Sequence, residues 1–367
     1  MNKSIFTYAV FLAIIVAVFL FYGRRYFIKA HVSSELASFA ALQLDPVDTH
    51  THVFRNDARF VAMIASLHLH VLDIVVADQH NVFGPLNSEI LSSREFIRGS
   101  KGHAVLCTTF DPFQFQNPAF AARVIEQLDS DFVNGAVAVK IWKNIGMELK
   151  DSDGKYIMPD DPIFDPIYKN IVANNKTLIA HLAEPTADWN PPDRSSLDYD
   201  YYHANPQWYM YLHPERPSKK AILTARDHLL AVYPQLRVVG AHLGSMETDV
   251  DEIARDLDRY PNFAVDTAAR MGYLMIQPRE KVRQFMIKYQ DRILYGTDLD
   301  FLEGESAETT IEVWRTTYAR DWEFLATDEE LDYHGRHQGL KLPISVLKKI
   351  YHDNPVRWIP GILGTAD

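Results

Sequence analysis

Eight short apolar runs alternate with amphipathic stretches along most of the chain, and this alternation constrains the fold more than any other feature. The runs are 46–52, 71–76, 103–110, 135–142, 177–181, 236–242, 263–267 and 293–297. Each is apolar at both odd and even positions, as expected of a strand covered on both faces. Between them lie segments with apolar residues at helical spacing: 57–69, 93–100, 118–128, 165–174, 219–232, 247–258 and 279–289, with 307–318 after the last strand. Strand–helix alternation specifies a parallel sheet with helical crossovers, and eight repeats can close a barrel. The predicted fold is an α/β (β/α)8 TIM barrel. The rival is an open doubly wound sheet, but no glycine-rich phosphate fingerprint follows the first strand.

Residues 5–22 form an 18-residue run without a charge. At about 1.5 Å per residue a helix of that length just spans a bilayer core. A cleaved signal peptide is the rival. The run is followed by Gly23-Arg24-Arg25-Tyr26-Phe27 and not by a small-x-small cleavage site, which favours a retained single-pass N-terminal transmembrane helix. Lys3 lies on one side and Arg24, Arg25 and Lys29 on the other, so the positive-inside count leans toward a cytoplasmic body without settling the side. The predicted organisation is a membrane anchor over 1–30, a linker over 31–44 with a short helix capped around Ser33-Ser34-Glu35, and a barrel over 45–367.

The net charge of −11 argues against a nucleic-acid partner, which would need a basic stripe. The one cysteine, Cys107, sits inside an apolar run and reads as a core thiol that can form no internal disulfide. The sequence leaves the oligomeric state open; a homodimer is compatible with it.

The downstream ends of the strands carry the chemistry. Asp48-Thr49-His50-Thr51-His52 ends the first, and alternation along a strand points both imidazoles to one side. The fourth carries Lys140, the fifth ends in His181, the sixth in His242 and the eighth in Asp298. A barrel brings these ends to one mouth, where barrels keep their active sites. Ser66-Leu67-His68-Leu69-His70 is an internal control: the same His-x-His spacing precedes its strand, so His68 and His70 read as structural. His213, His228, His334, His337 and His352 read as surface or packing residues, while His203 lies in a loop that can reach substrate. Two long insertions, 143–163 and 183–217, leave the ends of strands four and five. The second is rich in aromatics, Trp208 among them, which form either a wall for a ring-bearing substrate or the loop's own small core. Glu184, three residues past His181, is placed to support the site. Lys143 reads as solvated. Arg270, after strand seven, reads as a partner for a substrate carboxylate or for a loop acid.

His-x-His after strand one, His after five, His after six and Asp after eight resembles the pattern of the amidohydrolase superfamily. The chain looks most like its amidohydrolase-related branch, which holds decarboxylases of the aminocarboxymuconate semialdehyde type, lactonases and hydratases. The resemblance runs over about 45–360. It extends to Gly240-Ala241-His242-Leu243-Gly244 and to the tail Leu347-Lys348-Lys349-Ile350-Tyr351-His352-Asp353-Asn354-Pro355. It implies that His50, His52, His181 and Asp298 hold one divalent metal, zinc first, with manganese or iron as alternatives. It implies that Asp298 takes a proton from a metal-activated water, while His242 polarises a substrate carbonyl or handles a proton. In some superfamily members a carbamylated lysine on strand four bridges two metals. Here Lys140 reads instead as a charged contact to a small-molecule substrate, with Arg270 and Trp208. The implied activity is hydrolysis of an amide, lactone or ester. Non-oxidative decarboxylation of an aromatic or muconate-like acid is the alternative. An inactive metal-binding module tethered to the membrane through residues 5–22 is the third reading.

Overall fold

In the computed structural model, which describes residues 30–80 and 84–364, nine parallel strands form one sheet. They are β1 (Val47–Val53), β2 (His70–Ile74), β3 (Ala104–Thr109), β4 (Ala138–Ile141), β5 (Thr177–Ala180), β6 (Arg237–Gly240), β7 (Phe263–Asp266), β8 (Ile293–Leu294) and β9 (Leu299–Phe301). The sheet order is β8-β7-β6-β5-β4-β3-β2-β1-β9. Its two ends are pieces of one chain segment. β8 pairs with β7, β9 pairs with β1, and the interruption between them is stitched to β1. Thr49 N–H donates to Tyr295 O at 2.9 Å, and Asp298 N–H donates to His50 O at 2.8 Å. The sheet therefore closes on itself, with the geometry of a (β/α)8 barrel.

The predicted eighth strand is a continuous run, and the structure breaks it. Asp48, fully buried, reaches across from β1. Its Oδ1 accepts from the N–H groups of His50 (3.1 Å) and Thr297 (3.0 Å), and its Oδ2 accepts from Thr297 Oγ1 (2.6 Å) and Tyr318 OH (2.9 Å). Strand eight is thus bound by a side chain where a ladder would have bound it. The next residue, Asp298, adopts φ +66° and turns its carboxylate toward the mouth. The tail supports the same strand from below: Tyr295 N–H donates to Ile350 O at 3.1 Å, and Asn354 Nδ2 donates to Ile293 O at 2.7 Å.

Three helices are longer than predicted, Leu86–Gly99, Phe120–Val133 and Ala307–Ala326. A hairpin of Glu330–Asp332 with Arg336–Gln338 carried no sequence signal. The segment expected as a linker with a short helix is a helix over 30–41 that docks on the barrel. Val32, Leu36 and Phe39 share one face and are buried, and the Phe39 ring lies 5.3 Å from those of Trp322 and Tyr351. That burial makes the helix part of the body and not a spacer. The expected anchor at residues 5–22 lies outside the described residues. Among the described residues no helix is long and apolar enough to cross a membrane.

Asp48→Ala would orphan several buried donors at once and should lower stability by at least about 3 kcal/mol. Burial raises the Asp48 pKa from 3.8 to about 7. A raised folded-state pKa means that the contribution is full below about pH 4 and is lost as pH rises through 7. Asp48→Asn keeps an acceptor and cannot ionise, so thermal melts across this range should show a flatter decline than the unmutated protein.

Candidate metal centre

β1 presents His50 and His52 on one side, with ring centres 5.6 Å apart. Their Nδ1 atoms are both engaged, by Asp266 Oδ2 at 2.9 Å for His50 and by Ile74 O at 2.7 Å for His52. A carbonyl only accepts, so His52 carries a proton on Nδ1, and a carboxylate partner places the His50 proton likewise. Both Nε2 atoms then turn lone pairs toward the mouth, and both lie 3.4 Å from Asp298 Oδ1. Lone pairs facing a carboxylate oxygen repel unless a positive charge lies between them.

His242 repeats the pattern: Ala268 O accepts from its Nδ1 at 2.9 Å, leaving Nε2 bare and 3.2 Å from His181 Nδ1. Burial pushes His242 down to about 3 and holds His50 and His181 well below the ordinary histidine value, so these rings stay neutral. Donor atoms of His50, His242 and Asp298 all lie within 4.8 Å of one another. Neutral imidazoles around one carboxylate suit a divalent metal ion, and the donor set fits one. The neutral His242 ring can accept a proton or a metal at Nε2. Polarising a carbonyl from Nε2 would require the ring to gain a proton there first. Asp298 is the most exposed member, at 31 % of its side chain. Burial opposes its charge, but the surrounding imidazoles hold its carboxyl well below the usual range.

The turn that carries His242 is strained. His242, Leu243, Gly244 and Ser245 have φ of +58°, +59°, +63° and +59°, a left-handed turn that costs about 1–2 kcal/mol for each residue with a Cβ. Contacts on every side impose it. Asp266 Oδ1 accepts from His242 N–H at 2.8 Å, Arg226 Nη1 donates to Gly244 O at 2.8 Å, and Ser245 Oγ donates to Ala183 O at 2.7 Å. A Cβ on Gly240 would sit 2.6 Å from the Phe263 ring, so glycine is required where the turn crosses the neighbouring strand.

Lys140 is buried, and its Nζ donates to His50 Nε2 at 3.0 Å; burial lowers its pKa to about 8. Arg270 is buried 3.8 Å from Asp198, and its Nε has no hydrogen-bond partner. Trp208 is completely buried against Trp142, so it touches protein and not open space. Lys143, expected in solvent, is only 1 % exposed and is paired with Glu184. The aromatic loop does build a small core from Trp208, Tyr202 and Tyr209. On its outer side Tyr199, Tyr202, Tyr209 and His203 line a cavity of about 610 Å³ that none of the metal-centre residues lines. His70 opens β2 opposite Val47 and stacks near His103 at 5.3 Å, on the side of the sheet away from the mouth.

The family model described as amidohydrolase matches residues 108–360. The chain belongs to the amidohydrolase family. The match takes in His181, His242 and Asp298 and begins downstream of His50 and His52. No curated protein matches this chain. Among solved structures it is similar to a probable 2-pyrone-4,6-dicarboxylic acid hydrolase from Acinetobacter baumannii with citric acid bound, at 12% identity over 86% of this chain and 99% of that one, with a TM-score of 0.47. It is also similar to a 2,6-dihydroxybenzoate decarboxylase from Rhizobium, at 15% identity over 85% and 98%, TM-score 0.47. A third is a 5-carboxyvanillate decarboxylase from Novosphingobium aromaticivorans complexed with manganese and a nitrobenzoic acid, at 14% identity over 86% and 95%, TM-score 0.45.

Asp266 is not among the site residues read from the sequence. This buried carboxylate at the end of β7 accepts from the His50 ring, from His242 N–H and from Ala268 N–H. Its position, a strand-end acid like Asp298, was the available signal. Asp266→Ala should weaken divalent-metal binding about 10–100-fold in chelator competition, as loss of a carboxylate behind a ligating histidine does.

Proposed function

We propose that this protein is a metal-dependent hydrolase of an amide, lactone or ester in a small organic substrate that carries a negative charge. The observation behind this reading is the set of neutral imidazole nitrogens turned toward Asp298, with two buried cations, Lys140 and Arg270, beside them. Donor atoms of His50, His242 and Asp298 lie together, and His52 Nε2 and His181 Nδ1 are proposed to complete the set from strands one and five. When bound, a divalent ion supplies Lewis acidity and lowers the pKa of a water to about 7. Zinc suits these ligands, as do manganese and iron. Asp298, ionised and partly open to the mouth, takes the proton of the attacking water. His242 accepts a proton at Nε2. Lys140 and the unpaired Arg270 Nε–H offset the charge of a substrate carboxylate, and Trp208 stiffens the wall behind them through Trp142. The uncharged run at residues 5–22 is proposed to tether this body to a membrane, which fractionation of the full chain beside residues 31–367 would check.

Asp298→Asn should lower kcat by about 10²–10⁴-fold, the usual range for a lost general base, with the circular dichroism spectrum unchanged. Turnover in ¹⁸O-labelled water decides the reaction class: label in the product supports hydrolysis. Carbon dioxide release from an aromatic or muconate-like acid without label would assign decarboxylation instead. Stoichiometric metal, lost in His50→Ala, with no turnover across either panel would assign an inactive metal-binding module.

A further inference from the structure

A buried ion pair lies directly behind His181. Lys143 is 1 % exposed and Glu184 3 % by side chain, and the Lys143 ammonium is bonded to Glu184 Oε1. The same ammonium donates to Tyr201 OH at 2.8 Å and lies 4.2 Å from the centre of the Trp208 ring, 5.0 Å from Trp142 and 5.2 Å from Tyr201. Burial works against this charge, yet Glu184 and Tyr201 outweigh it and hold the lysine pKa above its ordinary value. Burying two charges carries a desolvation cost of several kcal/mol per ion, and apolar residues of similar volume often serve stability as well or better. The pair therefore calls for a role beyond holding the loop.

The histidine in front of it supplies one. His181 Nδ1 is hydrogen-bonded to His242 Nε2 at 3.2 Å, and because His242 carries its proton on Nδ1, His181 Nδ1 is the donor until a metal takes its place. Its other nitrogen, Nε2, is buried without a hydrogen-bond partner and lies 3.9 Å from Glu184 Oε2. The chain is bent to make this approach. Ala183 adopts φ +66°, unfavourable for a residue with a Cβ, and its carbonyl is held by Ser245 Oγ. One carboxylate oxygen is thus committed to Lys143, and the other is aimed at the unpartnered imidazole nitrogen.

We propose that Glu184, clamped by Lys143 inside the Trp142–Trp208–Tyr201 cage, is the positioning residue for His181: when a metal takes Nδ1, Glu184 stabilises the ring proton at Nε2. The inference rests on the metal-centre reading above. It assigns to the loop after strand five a role in tuning the centre as well as covering it. Lys143 holds Glu184 in place, and the three rings around the ammonium shield the pair from water. His181 would then differ from His50 and His52, which turn Nε2 to the same space.

The direct test is ¹⁵N imidazole spectroscopy of the zinc-loaded full chain. His181 should show a protonated Nε2 and a ligating Nδ1; a ligating Nε2 would overturn the proposal. Chelator competition then compares variants. Glu184→Ala should weaken zinc binding about 10–100-fold and shift the visible bands of the cobalt form. Glu184→Gln, which keeps an acceptor facing His181, should recover most of that affinity. A folded Glu184→Ala protein with unmutated affinity and bands would also sink the idea. Should the unmutated chain bind no zinc, the metal-centre reading itself has failed, an outcome distinct from either of these.

Discussion

The contact between β1 and the interrupted eighth strand is the constraint on which the rest depends. A barrel sheet must return to its first strand, and here a buried carboxylate reinforces the backbone bonds that make the return. Asp48 takes four hydrogen bonds in a fully buried position, three of them from Thr297 and Tyr318. At Thr297, held by this side chain, the backbone passes between the bonds that Tyr295 and Asp298 make to β1. It turns through a left-handed residue, and Asp298 arrives beside His50 and His52. Closure of the fold and assembly of the centre are one event.

Asp266 plays the corresponding part on the other side of the mouth. It joins the His50 ring to the backbone of the left-handed turn that carries His242, so strands one, six and seven share one buried anion. Strain at His242–Ser245 is tolerated because the surrounding hydrogen bonds leave the turn no alternative. The centre is consequently rigid before any ligand arrives, and neutral imidazoles stay neutral because burial disfavours their charged form.

The sequence announced the strand ends with useful accuracy. Histidines and an aspartate that close apolar runs are visible as such, and their order along the chain implies a common mouth once a barrel is assumed. His68 and His70 show why direction matters more than spacing, since they enter a strand where His50 and His52 leave one. Lys143 shows the opposite case. A lysine after Trp142 looks solvated because lysines usually are. Its burial depends on Glu184 and Trp208, which lie 41 and 65 positions away and meet it only in the fold. The helix over 30–41 was legible as a helix but not as part of the body, since its docking face is defined by Trp322 and Tyr351.

By itself the sequence determined the strand–helix alternation, the parallel sheet and the residues at its downstream ends, because hydrophobic periodicity is local and strand direction is carried by chain order. Only the tertiary structure decided which nitrogen of each histidine faces the centre, that Asp266 and Asp48 hold it together, and that a buried Lys143–Glu184 pair stands behind His181. Those are properties of hydrogen-bond partners brought from other strands. A ring's tautomer is set by whatever group reaches its second nitrogen, and no local pattern names that group.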